Sequence, residues 1–227
     1  MPTLRLLLCL LIAISSAYGQ AFYDNWEPDI RRFESMDSTN PPPPNSVLFV
    51  GSSSIVKWTT LAQDLPEFNP INRGFGGSEI DDTVHFADRI VIPYHPKIIV
   101  MYAGGNDISA GKSPEKVASD FQAFVEKVWS ALPDTRILYI SISPNPRRFA
   151  QIDRIRRANH MIRHYCHTDP KLSFLDVFGP MYPHVKKADI FASDGLHMNA
   201  AGYKLWTPLV RQHLLRLSAG TDVAAIN

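Results

Sequence analysis

The sequence alternates short apolar runs with stretches of helical periodicity. The apolar runs lie at residues 46–50, 68–72, 97–102, 135–142 and 172–177. The helical stretches lie at residues 55–63, 78–91, 114–131, 147–168 and 199–217. Strands that alternate with helices pair in parallel through right-handed crossovers, which place helices on both faces of the sheet. The 227 residues suffice for one such domain, so the pattern predicts a three-layer α/β/α fold around a five-stranded parallel sheet.

Residues 1–19 have the pattern of a cleavable signal peptide. One basic residue, Arg5, precedes an unbroken apolar run from Leu6 to Ile14, and small residues follow as far as Gly19. We expect cleavage after Gly19 and export to the periplasm or the extracellular space, with an uncleaved membrane anchor as the alternative. No other apolar stretch approaches the ~20 residues of a membrane span, so no stable membrane insertion is expected after cleavage.

Three segments are expected after the signal peptide. Residues 20–45 are a short helix and a proline-rich lead-in, residues 46–217 are the α/β domain, and residues 218–227 are a C-terminal tail. The lead-in contains Pro41 to Pro44, which can only be extended because their φ angles are fixed and their amide donors are missing. We interpret it as a spacer that delivers the chain to the first strand.

Charge and cysteine content exclude several classes of function. Without Arg5, 22 basic residues face 22 acidic ones, so no attraction to nucleic acid is expected. Cys9 leaves with the signal peptide, so Cys166 has no partner for an internal disulfide, and its place on the apolar side of a helix predicts a buried thiol. The arginines of that helix, Arg148 among them, are interpreted as a solvated face, with contact to an anionic surface or substrate as the alternative.

Glycine-containing loops follow the first three predicted strands. They are Gly51-Ser52-Ser53-Ser54, the stretch Asn72 to Ser78, and Gly104-Gly105-Asn106-Asp107. Open α/β sheets build their sites at the carboxyl ends of parallel strands, and these loops converge there if the second and third strands flank the first. In the first loop, Gly51 permits a sharp turn, and a serine follows where the free amides of a helix start converge. This arrangement suits a nucleophilic hydroxyl, with helix capping as the alternative.

The second and third loops carry candidate hydrogen-bond donors. The glycines of the second loop either leave a backbone N–H open to an oxyanion or serve a turn that needs positive φ. Asn106 offers a neutral amide donor for the same oxygen, or it caps its own loop. Asp107 is interpreted as the cap of the following turn.

A carboxylate and an imidazole lie close together before the final predicted helix. Asp194 and His197 are separated by a turn containing Gly195, which can bring both side chains to one side of the chain. Asp194 can then hold one ring nitrogen while the other faces a serine. The alternatives are helix capping by Asp194 and a surface histidine, whereas two ligands without a clear third argue against a metal site.

With these motifs in this order, the sequence resembles the SGNH (GDSL-type) hydrolase family of esterases and acylhydrolases, from about Val47 to His213. Gly51-Ser52-Ser53 resembles the family's Gly-Asp-Ser segment, with Ser52 in place of the aspartate. The resemblance makes Ser53 the nucleophile, Asp194 the acid and His197 the base, and it assigns the oxyanion hole to Ser53, Gly77 and Asn106. The Gly-x-Ser-x-Gly elbow of the α/β-hydrolases is absent.

The resemblance also carries expectations about fold and activity. It implies a flavodoxin-like strand order and hydrolysis of carboxylic esters through an acyl-enzyme, without metal or organic cofactor. The expected partners are small-molecule esters, including lipid or O-acylated carbohydrate esters. A catalytically inactive module that binds carbohydrate or lipid is the alternative. Four residues near the motifs are candidates either for the acyl pocket or for the core: Trp58, Ile80, Tyr102 and Met198.

Overall fold

The computed structural model describes residues 23–219. The chain divides into two compact units, Met1–Pro41 and Pro42–Asn227. In the first unit, helix α1 spans Glu27–Thr39, with Pro28 in its first turn. The expected signal peptide lies outside the described residues, as does most of the expected tail.

The second unit is built on a five-stranded parallel sheet. Its strands are β1 (Leu48–Gly51), β2 (Ile71–Gly74), β3 (Ile98–Tyr102), β4 (Arg136–Ile140) and β5 (Leu172–Leu175). All neighbours pair in parallel in the order β2-β1-β3-β4-β5. This is the flavodoxin-like order, in which the direction of winding reverses beside β1. The predicted sheet and its implied order are confirmed.

Helices fill the connections between the strands. They are α2 (Ser53–Val56), α3 (Leu61–Asp64), α4 (Ile80–His85), α5 (Ala87–Ile90), α6 (Gly105–Ser109), α7 (Pro114–Ala131), α8 (Ile152–Cys166), α9 (Phe178–Met181) and α10 (Ala200–Ser218). Within residues 23–219, none of the helices is long and apolar enough to cross a membrane.

Two predicted helices are divided and a third starts later than expected. The stretches 55–63 and 78–91 each form two short helices, and the stretch 147–168 begins with a 3₁₀ segment, Pro146–Gln151. The late start of α8 has a local cause: the Asn145 side chain accepts a hydrogen bond from the Arg148 amide, and Arg148 itself has non-helical angles. Arg148 therefore belongs to the loop after β4 and not to the helix face on which the sequence placed it.

Aromatic side chains fill the core on both faces of the sheet. On one face, Trp58 stacks on Tyr203 at 5.5 Å, and Tyr102 meets Trp206 edge-on at 4.8 Å. On the other face, Phe121 of α7 packs on Tyr139 of β4 at 4.7 Å between ring centroids. Cys166 is buried, as predicted, and burial raises the pKa of its thiol to about 12.

Gly51 lets the first strand end against the backbone of its neighbour. Its φ is +120°, and a Cβ built there would lie 2.0 Å from the Tyr102 carbonyl oxygen. Ser52 then donates its N–H to that same oxygen at 2.9 Å. The turn that leaves the sheet is thus compatible only with glycine at residue 51.

A lysine ties the loops after β2 and β3 together. The Lys112 ammonium lies 2.8 Å from both Glu79 and Asp81 and 3.2 Å from both Asp107 and Asp120. Asp107 also accepts a hydrogen bond from the Ile80 amide at 3.1 Å. Asp107 therefore caps a helix in the neighbouring loop, and the interpretation that it caps its own turn is wrong.

We expect Gly51→Ala to lower the free energy of unfolding by at least about 2 kcal/mol, because the left-handed backbone and the contact with Tyr102 both oppose a side chain. Urea titration measures the change. Gly76→Ala is the matched control, since its added Cβ would meet no atom within 4 Å. An equal loss in both variants would contradict the steric argument.

Burial of Asp82 makes the stability depend on pH. Its side chain is fully buried, one oxygen accepts the Glu79 amide at 2.7 Å, and the other has no partner among the described residues. Burial raises the pKa of Asp82 to about 7. Between about pH 4 and pH 7 the folded state therefore holds a proton that the unfolded chain has lost, so this group lowers stability as pH rises.

Asp82→Asn should remove the fall in folding stability that Asp82 causes as pH rises. Relative to the original chain, we expect the variant to gain about 2–3 kcal/mol of unfolding free energy between pH 5 and pH 8. Urea titrations at the two pH values measure the difference. Asp153→Asn, at a carboxylate with 90% of its side chain exposed, serves as the control and should show no such gain. A fixed difference between Asp82→Asn and the original chain at both pH values would refute the linkage.

Candidate active site

All three serines of the turn after β1 line the cleft, but only Ser53 is more than slightly exposed and reaches His197. Ser53 is the first residue of α2, so its amide has no partner four residues earlier within the helix. Ser52 and Ser54 are largely buried, at 7% and 8% exposure. The carbonyl oxygen of Ser54 accepts the Tyr203 hydroxyl at 2.9 Å, which fixes the helix against α10.

A hydrogen-bonded chain of three side chains crosses the carboxyl edge of the sheet. The Ser53 hydroxyl lies 2.9 Å from His197 Nε2, and His197 Nδ1 lies 2.6 Å from Asp194 Oδ2. The other oxygen of Asp194 accepts the backbone amides of Leu196 and His197 at 2.9 and 3.0 Å. The hydrogen bond from His197 and these backbone bonds hold the pKa of Asp194 well below its usual range, so the carboxylate stays ionised.

The backbone of the His197 loop folds back on itself. Gly195 N donates to Ala192 O at 2.9 Å, and Ala192 N donates to His197 O at 2.7 Å. The Asn199 side chain caps α10 by accepting the amides of Ala201 and Gly202. Asn199, and not Asp194, caps this helix, and Asp194 hydrogen-bonds the imidazole of His197 instead. The alternative that Asp194 is a helix cap is therefore wrong.

Asn106 lies in α6 on the opposite side of the cleft. Its Nδ2 donates to the Ser78 carbonyl at 2.9 Å, and its Oδ1 accepts from Arg148 Nη2 at 2.8 Å. Ser53, His197 and Asn106 line the same cleft. Gly77 is not among the residues lining it, but it precedes Ser78 in a left-handed conformation, with open space at its Cα.

The cleft is narrow and its walls are mostly polar. It encloses about 20 Å³, close to the space one water molecule needs, and the apolar part of its wall includes Tyr102 and Ile142. Of the four sequence candidates for an acyl pocket, only Tyr102 lines this cleft. Trp58 and Ile80 are fully enclosed in the core and Met198 is 6% exposed, so the core interpretation holds for these three.

Arg148 is a charged cleft residue that sequence reasoning placed elsewhere. Helical periodicity that extends back to residue 147 predicts a solvated helix face for Arg148, whereas the α-helix begins only at Ile152. The signal that could have located it is Asn145-Pro146, a pair that favours a turn before a helix. That turn keeps Arg148 at the carboxyl end of β4.

Three carboxylates within residues 23–219 lie close enough together to share a metal ion: Glu79, Asp81 and Asp107. The Lys112 ammonium already lies within 3.2 Å of each of them. The ammonium thus lies where a shared metal ion would have to lie, which argues against a metal centre at this group.

Comparisons with known proteins bear on the family and the fold. A model of the GDSL-like lipase/acylhydrolase family matches residues 50–205. A search of curated proteins gave no significant match.

Solved structures share the fold. A protein from Streptococcus pneumonia, provisionally named a platelet activating factor, superposes with a TM-score of 0.73 at 21% identity and covers 87% of this chain and 99% of its own. A GDSL-like lipase from Bacteroides thetaiotaomicron gives 0.67 at 19% identity, with 82% and 97% covered. A carbohydrate esterase family 3 protein from Talaromyces cellulolyticus gives 0.62 at 17% identity, with 76% and 97% covered.

The family match extends from the end of β1 into α10 and so includes the turn at Ser53, the loop at Asn106 and the pair Asp194 and His197. The chain belongs to the GDSL-like lipase/acylhydrolase family.

Proposed function

We propose that the protein is a serine carboxylic ester hydrolase that removes short acyl groups, with O-acylated carbohydrates as its substrate class. The observation that carries the proposal is the chain of hydrogen bonds from Ser53 through His197 to Asp194 at the carboxyl edge of the sheet. Such a chain activates a hydroxyl that is otherwise a weak nucleophile.

In the first half of the reaction, Ser53 Oγ attacks the ester carbonyl while His197 Nε2 takes its proton. Asp194 accepts the Nδ1–H bond, which fixes the neutral tautomer with Nε2 free and stabilises the imidazolium that forms. The imidazolium then gives its proton to the departing alcohol, which leaves Ser53 acylated. Water attacks the acyl-enzyme by the same proton transfers and releases the acid.

The negative charge of the tetrahedral intermediate needs donors opposite the imidazole. The Ser53 amide and the second hydrogen of Asn106 Nδ2 are the proposed donors in the cleft, and the Gly77 amide joins them from the loop after β2. A donor held before the reaction begins needs no reorganisation as charge develops, and loss of one typically costs about 10²–10³ in turnover.

The dimensions and polarity of the cleft support short acyl groups. A cleft of about 20 Å³ accommodates a group the size of the acetyl methyl, whereas a long acyl chain requires an apolar groove. Serine, asparagine, arginine and histidine side chains around it favour a polar alcohol moiety. The fold shared with a carbohydrate esterase is consistent with this choice.

Two expectations stay predictions of the sequence: export after cleavage behind Gly19, and a domain that spans residues 46–217.

A fluorophosphonate probe should form an adduct on Ser53, because that hydroxyl alone among the three adjacent serines lies within hydrogen-bonding distance of His197. Peptide mapping by mass spectrometry locates the adduct. Ser53→Ala should lose labelling and lower kcat by at least ~10³-fold. Ser52→Ala and Ser54→Ala are the matched controls and should keep the label. An adduct on residue 52 or 54 would reassign the nucleophile, and its complete absence would favour the inactive binding module.

Esters with short acyl groups should be hydrolysed faster than esters with long ones. We expect kcat/KM on 4-nitrophenyl esters to fall by at least tenfold from acetate to octanoate, since the cleft has no room for a long chain. Ser53→Ala supplies the background rate. A rise in kcat/KM with chain length would contradict the short-acyl assignment and point to a lipase.

A further inference from the structure

Arg148 bridges two parts of the cleft that the sequence keeps 40 or more residues apart. Its segment follows β4, where Asn145 accepts the Arg148 amide at 2.9 Å. The neighbouring Arg147 amide donates to the Gly195 carbonyl at 2.9 Å, so this backbone is tied to the loop that carries Asp194 and His197. From that anchor the Arg148 side chain reaches across to Asn106.

The contact between Arg148 and Asn106 fixes which way the amide faces. A guanidinium has donors and no acceptor, so only the carbonyl end of Asn106 can face it. The opposite orientation would set Nδ2 against another donor and the amide oxygen against the Ser78 carbonyl. With Oδ1 held by Arg148 and one hydrogen of Nδ2 held by Ser78, the remaining hydrogen is free to donate into the cleft.

The positive charge of Arg148 is not matched by a carboxylate within residues 23–219. Other arginines of the same region do form ion pairs: Arg156 with Asp153, Arg157 with Glu115 and Arg163 with Asp176. Arg148 instead binds a neutral amide while half-buried in the cleft wall.

An anionic group beside Arg148 would stabilise its charge. Burial lowers the pKa of Arg148, because removal from water disfavours the charged guanidinium. A guanidinium offers five donors in a planar fork, of which Asn106 takes one. An anionic group in the cleft can form charge-assisted hydrogen bonds with the rest.

We propose that Arg148 both positions Asn106 as an oxyanion donor and selects esters that carry an anionic group, a carboxylate, sulfate or phosphate, on the alcohol side of the scissile bond. The proposal rests on the ester hydrolase function proposed above. The alcohol side is inferred because the enclosed part of the cleft has room for little more than a methyl group. The charge also polarises the Asn106 amide and strengthens its free N–H as a donor.

Two acetyl esters that differ only in charge separate the two roles. They are 4-acetoxybenzoate, which carries a carboxylate, and 4-acetoxybenzamide, which is neutral. Arg148→Met keeps much of the side chain's length but removes the charge and donors, Arg148→Lys keeps the charge without the planar fork, and Arg147→Met is the matched control at an exposed arginine. Initial rates give kcat and KM for each variant, and thermal unfolding checks that all are folded.

For Arg148→Met we expect kcat on the neutral ester to fall about tenfold or more, because a misplaced donor costs transition-state stabilisation. On the anionic ester kcat/KM should fall about a further tenfold, the size of one charge-assisted hydrogen bond. Arg148→Lys should retain most of the preference for the anionic ester while kcat on the neutral ester stays low. Arg147→Met should remain within about twofold of the original chain on both esters.

An unchanged kcat on the neutral ester in Arg148→Met would overturn the positioning role. An equal fall of kcat/KM on the two esters would overturn the anion selection.

Calorimetry with 4-hydroxybenzoate and 4-hydroxybenzamide tests the anion site without turnover. Preference for the carboxylate in Ser53→Ala that disappears in Ser53→Ala/Arg148→Met supports the site even if no ester is hydrolysed, whereas equal affinity overturns it. Failure of the original chain to hydrolyse either ester would instead count against the proposed function.

Discussion

The contact between Gly51 and the Tyr102 carbonyl is the constraint from which the rest of the site follows. Because β1 lies at the point where the winding of the sheet reverses, the chain leaving it must turn sharply between β2 and β3. Glycine allows the backbone to approach that carbonyl, and the Ser52 amide satisfies it. A larger residue would push α2 away, and the Ser53 hydroxyl with it, from His197.

Much of the support of this turn comes from the main chain. Ser52 stands where the Gly-Asp-Ser segment that this turn resembles has an aspartate, so other groups must hold the nucleophile turn. The Ser52 side chain makes no capping hydrogen bond. Its backbone carbonyl accepts the amides of Ile55 and Val56 at 2.9 and 3.3 Å, and its amide is bound to Tyr102. These backbone bonds, together with the side chains of Tyr203 and Asn72 that donate to the Ser54 and Ile55 carbonyls, give the turn a defined geometry.

The charged side chains of the neighbouring loops differ in whether they have ionic partners. Lys112 forms ion pairs with the carboxylates of the loops after β2 and β3, whereas Arg148 lines the cleft without a carboxylate partner within the described chain. The buried carboxylates lower stability as pH rises, but they join the loops after β2 and β3 into one support. The Asn106 amide must be held in place before negative charge develops on the tetrahedral intermediate, and a rigid support on both sides provides this.

The sequence by itself determined the sheet, the parallel pairing and the residues that meet at its edge. Strand and helix periodicity are local properties, and turn residues such as Gly51 leave a signal that needs no tertiary context. The tertiary structure decided what depends on distant contacts. It separated Tyr102 in the cleft wall from Trp58 and Ile80 in the core, which are equally apolar in sequence. It showed that Asp107 caps a helix in another loop and that Arg148 reaches Asn106. These pairings join residues 27 and 42 positions apart, and side-chain hydrogen bonds over such separations leave no periodic trace in the chain.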